Sequence, residues 1–588
     1  MTEVTEEQRN NDRAAAGPVS HREVHTYLGT DPDAVFGALH LPASGRARGS
    51  VLLLPSLAKE QFDATRGMRR LAAQLADRGL AVLRIDYLGT GDSARSEDGD
   101  DAVEEWVASC RTGLAYLRAL NAGPPAVVGL RAGCLMAARM LTEGQETGPV
   151  VLWDPVSSGR TFLREQRALY LMAVGADDRS ASGSVPLIGT TLSATAAAEL
   201  SGLRLDPEKI GTDGRWLVAT RPGGGDRGVE AFATAVDADR LDVEHMAEFV
   251  QPSDYLVRIP DDAIDAITDW LDTAATGPEV PVDPPIRRTA RLSDPAGGEV
   301  TESIEYLGPH SLFSIRTTPP GHRPEPAGDA APGVLFFATA NDTHHGPNRE
   351  WVRLARRVAG TGVVAVRFDR RYAGESGVVR RGERAHGYSE EACEDADTAA
   401  AAADPGSAGL AAVGVCSGSW LTAYLGRESR LDAAVLVNPV IWSWRTKRAL
   451  RNADGPDAQG VPRSDPAFQR SFRGRVKALL QSRLPYPAWR LLGIAGITQV
   501  PEVLLRPLAD ADVHTTVVLA PPDAEWFTGQ RGAEGLRSLN RRSPAPRIDI
   551  VSTEFGDHPA YHAEVRAAVA ESVLRWCSDR GAVGSDHE

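Results

Sequence analysis

Several features that would mark other protein classes are scarce or absent in this chain. Its 588 residues include five cysteines (110, 134, 393, 416, 577), scattered, odd in number and without C-x-x-C spacing, so neither a disulfide frame nor a zinc site is indicated. Positive charge is in deficit, 64 Lys+Arg against 79 Asp+Glu, for a formal net charge of −15. Binding to a phosphate backbone needs a positive surface, so nucleic acid is not an expected partner. No stretch approaches the ~18–20 unbroken apolar residues of a membrane span. Residues 1–13 are polar and acidic and lack the apolar core of a signal peptide. The expectation is a cytoplasmic protein without a membrane partner. What remains, 42% apolar and 24% charged residues, is ordinary for a globular protein with sizeable cores.

What the chain does have is a long internal repeat. Tyr27-Leu28-Gly29 returns as Tyr306-Leu307-Gly308, an offset of 279, and the apolar run 51–54 returns at 334–337, offset 283. Asp86 and Asp369, and the triplets Gly91-Asp92-Ser93 and Gly374-Glu375-Ser376, are also 283 apart. Gly129 matches Gly414, and Leu152-Trp153-Asp154-Pro155 matches Leu436-Val437-Asn438-Pro439, at 285 and 284. Solenoid repeats run about 20–50 residues, so this period means two tandem domains. The expected division is a disordered tail (1–18), an N-terminal domain (19–277), a linker (278–299) and a C-terminal domain (300–580).

Within the second copy, 334–337, 363–368, 410–415, 434–437, 515–519 and 547–551 read as strands, and 349–359, 417–426 and 563–576 have helical spacing. Apolar strands alternating with helices predict an α/β fold, a mostly parallel sheet covered on both faces, in each copy. The unpaired blocks 157–210 and 441–510 read as helical cap insertions.

Gly414-Val415-Cys416-Ser417-Gly418 lies between a strand and a helix, the context in which a G-x-nucleophile-x-G elbow is credible. Such a turn lifts its central side chain above the sheet edge, and here that residue is Cys416. The bland alternative is a buried cysteine in a Gly-rich turn. A nucleophile needs a base, and the base an orienter. Asp523 follows the strand at 515–519 and His558 follows the strand at 547–551, both at strand C-terminal ends where open α/β sheets place ligands. Here His558 is the expected base and Asp523 its orienter; otherwise they are a turn residue and a loop histidine. The backbone N–H of Ser417, with one from Ala340 or Asn341, is the expected oxyanion hole. His344 and His345 invite a metal, but no acid or cysteine is spaced beside them, so they are expected to line the pocket or bond the loop.

The first copy reads as disarmed. Its elbow is Gly129-Leu130-Arg131-Ala132-Gly133, and a guanidinium is no nucleophile. The segment 252–258, where a histidine is due, holds none. His245 falls within a strand-like stretch at 241–249, and Asp226 stands alone near the acid position. Arg131 is a candidate pocket cation for a carboxylate or phosphate, although pairing with a local acid is the preferred reading. Residues 223–228 fit G-x-G-x-x-G but lack a βαβ unit, and read as a loop.

The elbow, the late acid and the late histidine on a strand–helix repeat resemble the α/β-hydrolase superfamily across both halves, roughly 20–275 and 300–578. The first half is similar to exosortase-associated hydrolases through Leu54-Pro55, Arg66-Gly67-Met68-Arg69-Arg70, Asp86, Gly89-Thr90-Gly91-Asp92-Ser93 and Leu152-Trp153-Asp154-Pro155. The second resembles hydrolase domains found near acyl-activating and polyketide genes, through His345-Gly346-Pro347-Asn348-Arg349 and its elbow. A cysteine elbow also looks like that of dienelactone hydrolases and polyhydroxyalkanoate synthases. These resemblances imply ester or thioester hydrolysis, or acyl transfer to an alcohol or amine, cyclisation included, through a Cys-His-Asp triad, with a small acyl ester or thioester as substrate. An acyl carrier protein is a candidate partner, and no cofactor is implied. Trp442, Trp444 and Trp489 in the cap either select the acyl group or pack the cap's own core. A tandem of two non-catalytic binding modules is the rival reading.

Overall fold

The computed structural model describes residues 21–175, 183–210, 214–223, 226–251, 257–275, 277–322, 331–339, 342–383, 387–403, 408–446, 484–541 and 547–584. The expected tail 1–18 lies outside them. In the first half the main strands are β1 (His21–Leu28), β2 (Val35–Pro42), β3 (Ser50–Leu54), β4 (Ala81–Ile85), β5 (Ala126–Leu130), β6 (Val150–Trp153), β7 (Trp216–Thr220) and β8 (Asp239–Asp242). They form one sheet in the order β1-β2-β4-β3-β5-β6-β7-β8, antiparallel at β1·β2 and β2·β4 and parallel beyond.

The second half repeats this sheet. Its strands are β9 (Thr289–Ser293), β10 (Glu299–Leu307), β11 (Leu312–Thr318), β12 (Gly333–Phe337), β13 (Val364–Phe368), β14 (Leu410–Val415), β15 (Ala433–Val437), β16 (His514–Leu519) and β17 (Ile548–Ser552). The order is β9-β10-β11-β13-β12-β14-β15-β16-β17, the same crossover pattern with one extra edge strand. Strands β3 to β6 and β12 to β15 are buried along their whole length, as parallel strands covered on both faces must be. Each lobe is an α/β fold, a mostly parallel sheet covered by helices.

Three expectations need correcting. The stretch 278–299 is not a bare linker: Val280–Pro281 pairs with Arg46–Ala47, and β9 pairs with β10. Ala290 and Leu292 face inward and Thr289, Arg291 and Ser293 outward, a period-two pattern concealed by the flanking prolines and arginines. The stretch 241–249 is not one strand, because β8 ends at Asp242 and a helix Met246–Val250 follows. His245 begins that helix at φ 62°, partly exposed beside Glu248. The second cap insertion ends before residue 501, because the helix Pro501–Asp510 buries Leu504, Leu505 and Leu508 in the lobe's main core. Residues 447–483 of that insertion lie outside the described residues. Trp489 packs with Val500 and Val503, Trp444 Nε1 donates 2.8 Å to the Val503 carbonyl, and Trp442 packs on Phe527.

The lobes meet through the same face, and the repeat makes the contacts reciprocal. Arg84 binds Glu375 (Nη2–Oε2 2.6 Å), and its counterpart Arg367 binds Asp92, the counterpart of Glu375 (Nη1–Oδ1 2.7 Å). Arg69, paired with Glu23, donates to the Gly374 carbonyl, while Arg356, paired with Glu302, donates to the Asp92 and Ser93 carbonyls. A two-fold isologous dimer makes contacts of this kind, here within one chain.

Candidate active site

The elbow between β14 and the helix Ser417–Arg427 is built by close contact. A Cβ at Gly414 would lie 2.3 Å from the Gly418 backbone, and one at Gly418 would lie 2.8 Å from the Phe337 carbonyl oxygen. Only glycine lets the helix start this near the strands. Cys416 is left at φ 54°, ψ −111°, a conformation that costs a non-glycine residue of order 1–3 kcal/mol and clusters at functional sites. The Cys416 N–H donates 2.9 Å to Val437 O, and the single O–H of Ser419 is shared between Gly414 O (Oγ–O 2.7 Å) and Val437 O (2.6 Å), which fixes the turn.

Asp523 and His558, 35 residues apart in sequence, meet over Cys416. His558 Nδ1 and Asp523 Oδ1 are 2.7 Å apart. Asp523 lies in the first turn of the helix Pro521–Gly529, which opens on two prolines directly after β16. The His558 loop is tied down by Asn438, whose Nδ2 donates to His558 O (2.7 Å) and whose Oδ1 accepts from Ala520 N (2.8 Å). Asp557 then accepts the Tyr561 and His562 amides at 3.0 and 2.7 Å. Asn438 and Asp557 had no separate role in the sequence reading. Asn438 stood there only as a repeat landmark, opposite Asp154, and its φ of 48° matches that of Asp154.

Burial alone would push the Cys416 thiol up, but the charge of His558 and hydrogen bonding from His558, Thr339 and the Ser417 N–H outweigh it and hold the thiol below its ordinary value of 9.0. Burial alone would push His558 down, but the sulfur and Asp523 together raise it well above 6.5. Each of the two groups therefore favours the charged form of the other. His558 Nε2 is buried without a hydrogen bond of standard geometry, and the sulfur is the charge it faces. Thr339 Oγ1 lies 3.3 Å from Ser417 Oγ on the same side. Of the expected oxyanion donors, Ser417 is at the sulfur, while Ala340 and Asn341 lie outside the described residues.

His344 and His345 do not line this pocket. They are buried between the lobes: His344 Nδ1 is 2.8 Å from Asp369 and its Nε2 2.6 Å from Asp92 of the other lobe. Burial lowers the His344 pKa, but the two carboxylates outweigh it and push the value up to about 10. The acid missing beside these histidines in sequence is supplied by the opposite lobe. His345 Nε2 is 3.2 Å from the same Asp92 oxygen. Both His344 nitrogens are occupied by carboxylates, which is the arrangement of a buried ion pair.

The first-lobe elbow keeps its shape, with Arg131 at φ 51° and Arg131 N bound to Trp153 O at 2.9 Å. The side chain is no pocket cation. Its Nη2 donates to Glu165 (2.6 Å) and Glu60 (3.2 Å). Glu60 also accepts from Gln166 (2.7 Å), Gln251 (2.8 Å) and Ser56 Oγ (2.6 Å). Thus Gln251, after β8, reaches the elbow where the second lobe brings a histidine. Asp226 caps the helix Arg227–Ala235 through the Gly228 and Val229 amides. Residues 252–256 and 224–225 lie outside the described residues.

The first lobe also touches the loop that follows His558 in the second. At the turn between Val185–Leu187 and Thr190–Leu192, Gly189 N donates 2.5 Å to Asn348 Oδ1, and Asn348 Nδ2 donates 3.3 Å to Tyr561 O. Tyr561 packs with Tyr170 and Ile188 of the first lobe.

No family model and no curated protein matches the chain. Among solved structures, a thermostable carboxyl esterase from Bacillus coagulans aligns at TM-score 0.32 and 12% identity over 44% of this chain and 99% of its own. A monoglyceride lipase from Saccharomyces cerevisiae aligns at TM-score 0.33 and 15% identity over 45% and 99%. A Pyrococcus furiosus esterase aligns at TM-score 0.31 and 15% identity over 44% and 92%. Among the described residues, no helix is long and apolar enough to cross a membrane.

Proposed function

We propose that the C-terminal lobe is an acyl ester or thioester hydrolase acting through Cys416, and that the N-terminal lobe is catalytically silent. The observation that carries this reading is the buried Cys416 at a left-handed elbow, held below its usual thiol pKa by a histidine that Asp523 orients at 2.7 Å. A sulfur held as a structural thiol needs no such pair, and the other buried cysteines, such as Cys577, are pushed up instead, to about 12. The Arg131–Glu60 cluster at the matching place in the first lobe supports the assignment of its silence.

In this reading the Cys416 thiolate attacks the acyl carbonyl, a C–S bond forms, and the carbonyl π pair moves onto oxygen toward the Ser417 N–H. Collapse expels the alcohol or thiol, which takes the proton from His558 Nε2. A water then gives a proton back to His558 as it attacks the acyl-thioester, and the C–S bond breaks to release the acid and the thiolate. Asp523 keeps the ring oriented and its cationic form stable throughout.

The test is intact mass of the full chain after incubation with a panel of short acyl thioesters and activated esters, with Cys416→Ala alongside. A mass gain absent from the variant and decaying in buffer supports hydrolysis. Decay that occurs only with added amine or alcohol assigns transfer instead. No adduct across the panel, together with a Cys416 inert to iodoacetamide, sinks the mechanism.

A further inference from the structure

Tyr388 sits beside the elbow although nothing in its sequence context marks it. The residue before it, Gly387, packs on the residue after the cysteine so closely that a Cβ there would lie 2.7 Å from Ser417 Oγ. The Tyr388 ring stands edge-on to Trp420 of the elbow helix, centroids 5.9 Å apart, and Thr446 Oγ1 donates 3.5 Å to the Tyr388 carbonyl. The Trp420 contact on the ring and the Thr446 bond to the backbone hold the residue beside the elbow. The Tyr388 hydroxyl is buried and, like His558 Nε2, lacks a hydrogen bond of standard geometry. Two buried donors left open around one sulfur are costly unless the sulfur serves both. Burial first and the Cys416 charge second raise the Tyr388 pKa well above 10, with Arg370 opposing, so the phenol stays protonated and is a donor.

We infer that Tyr388 is a further catalytic residue, donating its O–H to the Cys416 thiolate whenever the sulfur carries the negative charge. This rests on the acyl-enzyme reading above for its catalytic consequence, and on the buried hydroxyl beside the elbow, packed against Trp420 and next to Gly387 on Ser417, for the contact. In acylation the sulfur pair forms the C–S bond and the sulfur loses its charge. In deacylation that bond breaks, the pair returns to sulfur, and the Tyr388 O–H is in place to receive it. No proton leaves Tyr388 in either step. Its part is to make the thiolate a better leaving group, so its loss is felt most in breakdown of the acyl-enzyme.

The experiment measures the pH dependence of Cys416 alkylation by iodoacetamide in the full chain, for the wild type, Tyr388→Phe and Trp420→Phe. The titratable and charged groups around the sulfur are His558, paired with Asp523, and Tyr388, with Arg370 behind the phenol. One hydrogen bond to a charged acceptor corresponds to a shift of about one pH unit. Tyr388→Phe should raise the alkylation midpoint by about that much, and slow acyl-enzyme decay about tenfold. Trp420→Phe, which disturbs the same packing but leaves the hydroxyl, should leave the midpoint in place. Tyr388→Met is read in parallel, with circular dichroism, so that the measurement survives if Tyr388→Phe fails to fold. An unchanged midpoint in a folded Tyr388 variant, or an equal rise in Trp420→Phe, overturns the inference. A shifted midpoint in a protein that forms no acyl adduct would sink the hydrolase reading and leave the thiolate donor standing.

Discussion

Replacing Asp92 by Asn tests whether the two lobes are held by the buried ion network. Asp92 is fully buried and bridges the lobes, accepting from Arg367 Nη1 at 2.7 Å and meeting His344 Nε2 at 2.6 Å. Asparagine keeps the volume but removes the charge, and its NH2 would face a donor. Arg367 would keep Glu302 at 3.1 Å and His344 would keep Asp369, so each cation loses one of its two carboxylates. Breaking a buried pair from one side costs about 3–5 kcal/mol, and these remaining partners place the expected loss near 3 kcal/mol. The pH dependence gives a second signature. His344 is raised in the folded state to about 10 from 6.5, so its contribution is complete below pH 6.5 and is lost as the pH rises through about 10. With Asp92 neutral the folded value falls, and alkaline destabilisation begins at a lower pH. The assay is urea unfolding followed by pulse proteolysis, at pH 7 and pH 9.5. The wild type should lose stability between them, and Asp92→Asn should be the weaker at both, with the lobes unfolding in separate transitions. A variant within about 1 kcal/mol of wild type, with the same alkaline profile, would refute the reasoning.

Two other substitutions follow from the same contacts. Arg131→Ser places a nucleophile-type residue in the first-lobe elbow, yet Gln251 stands where a histidine is needed and Glu60 loses its cation. It should yield no acyl adduct on that lobe and cost about 3 kcal/mol, read by mass spectrometry and urea unfolding. Asn348→Ala removes the link between Gly189 N and Tyr561 O, three residues from His558. It should cost about 1–3 kcal/mol and slow Cys416 acylation while leaving the Cys416 alkylation midpoint unchanged, which stopped-flow and alkylation kinetics would check.

The sequence by itself determined the fold of each lobe. Parallel strands buried on both faces must be apolar along their length, so β12 to β15 stand out as runs, and a repeat offset near 283 carries one lobe's pattern onto the other. The elbow was equally legible, because a helix starting this near the strands at Phe337 leaves room only for glycine on each side of Cys416. The edge strand β9 was hidden because alternation over five residues is a weak signal between prolines. Tertiary structure alone decided which charges meet. Asp92 reaches His344 across 252 positions, Tyr388 packs on Trp420 of the elbow helix from a segment with no motif, and Arg131 pairs with Glu60. Pairing of buried charges depends on distance through space, and local sequence spacing carries that information only within a strand, a turn or a helix.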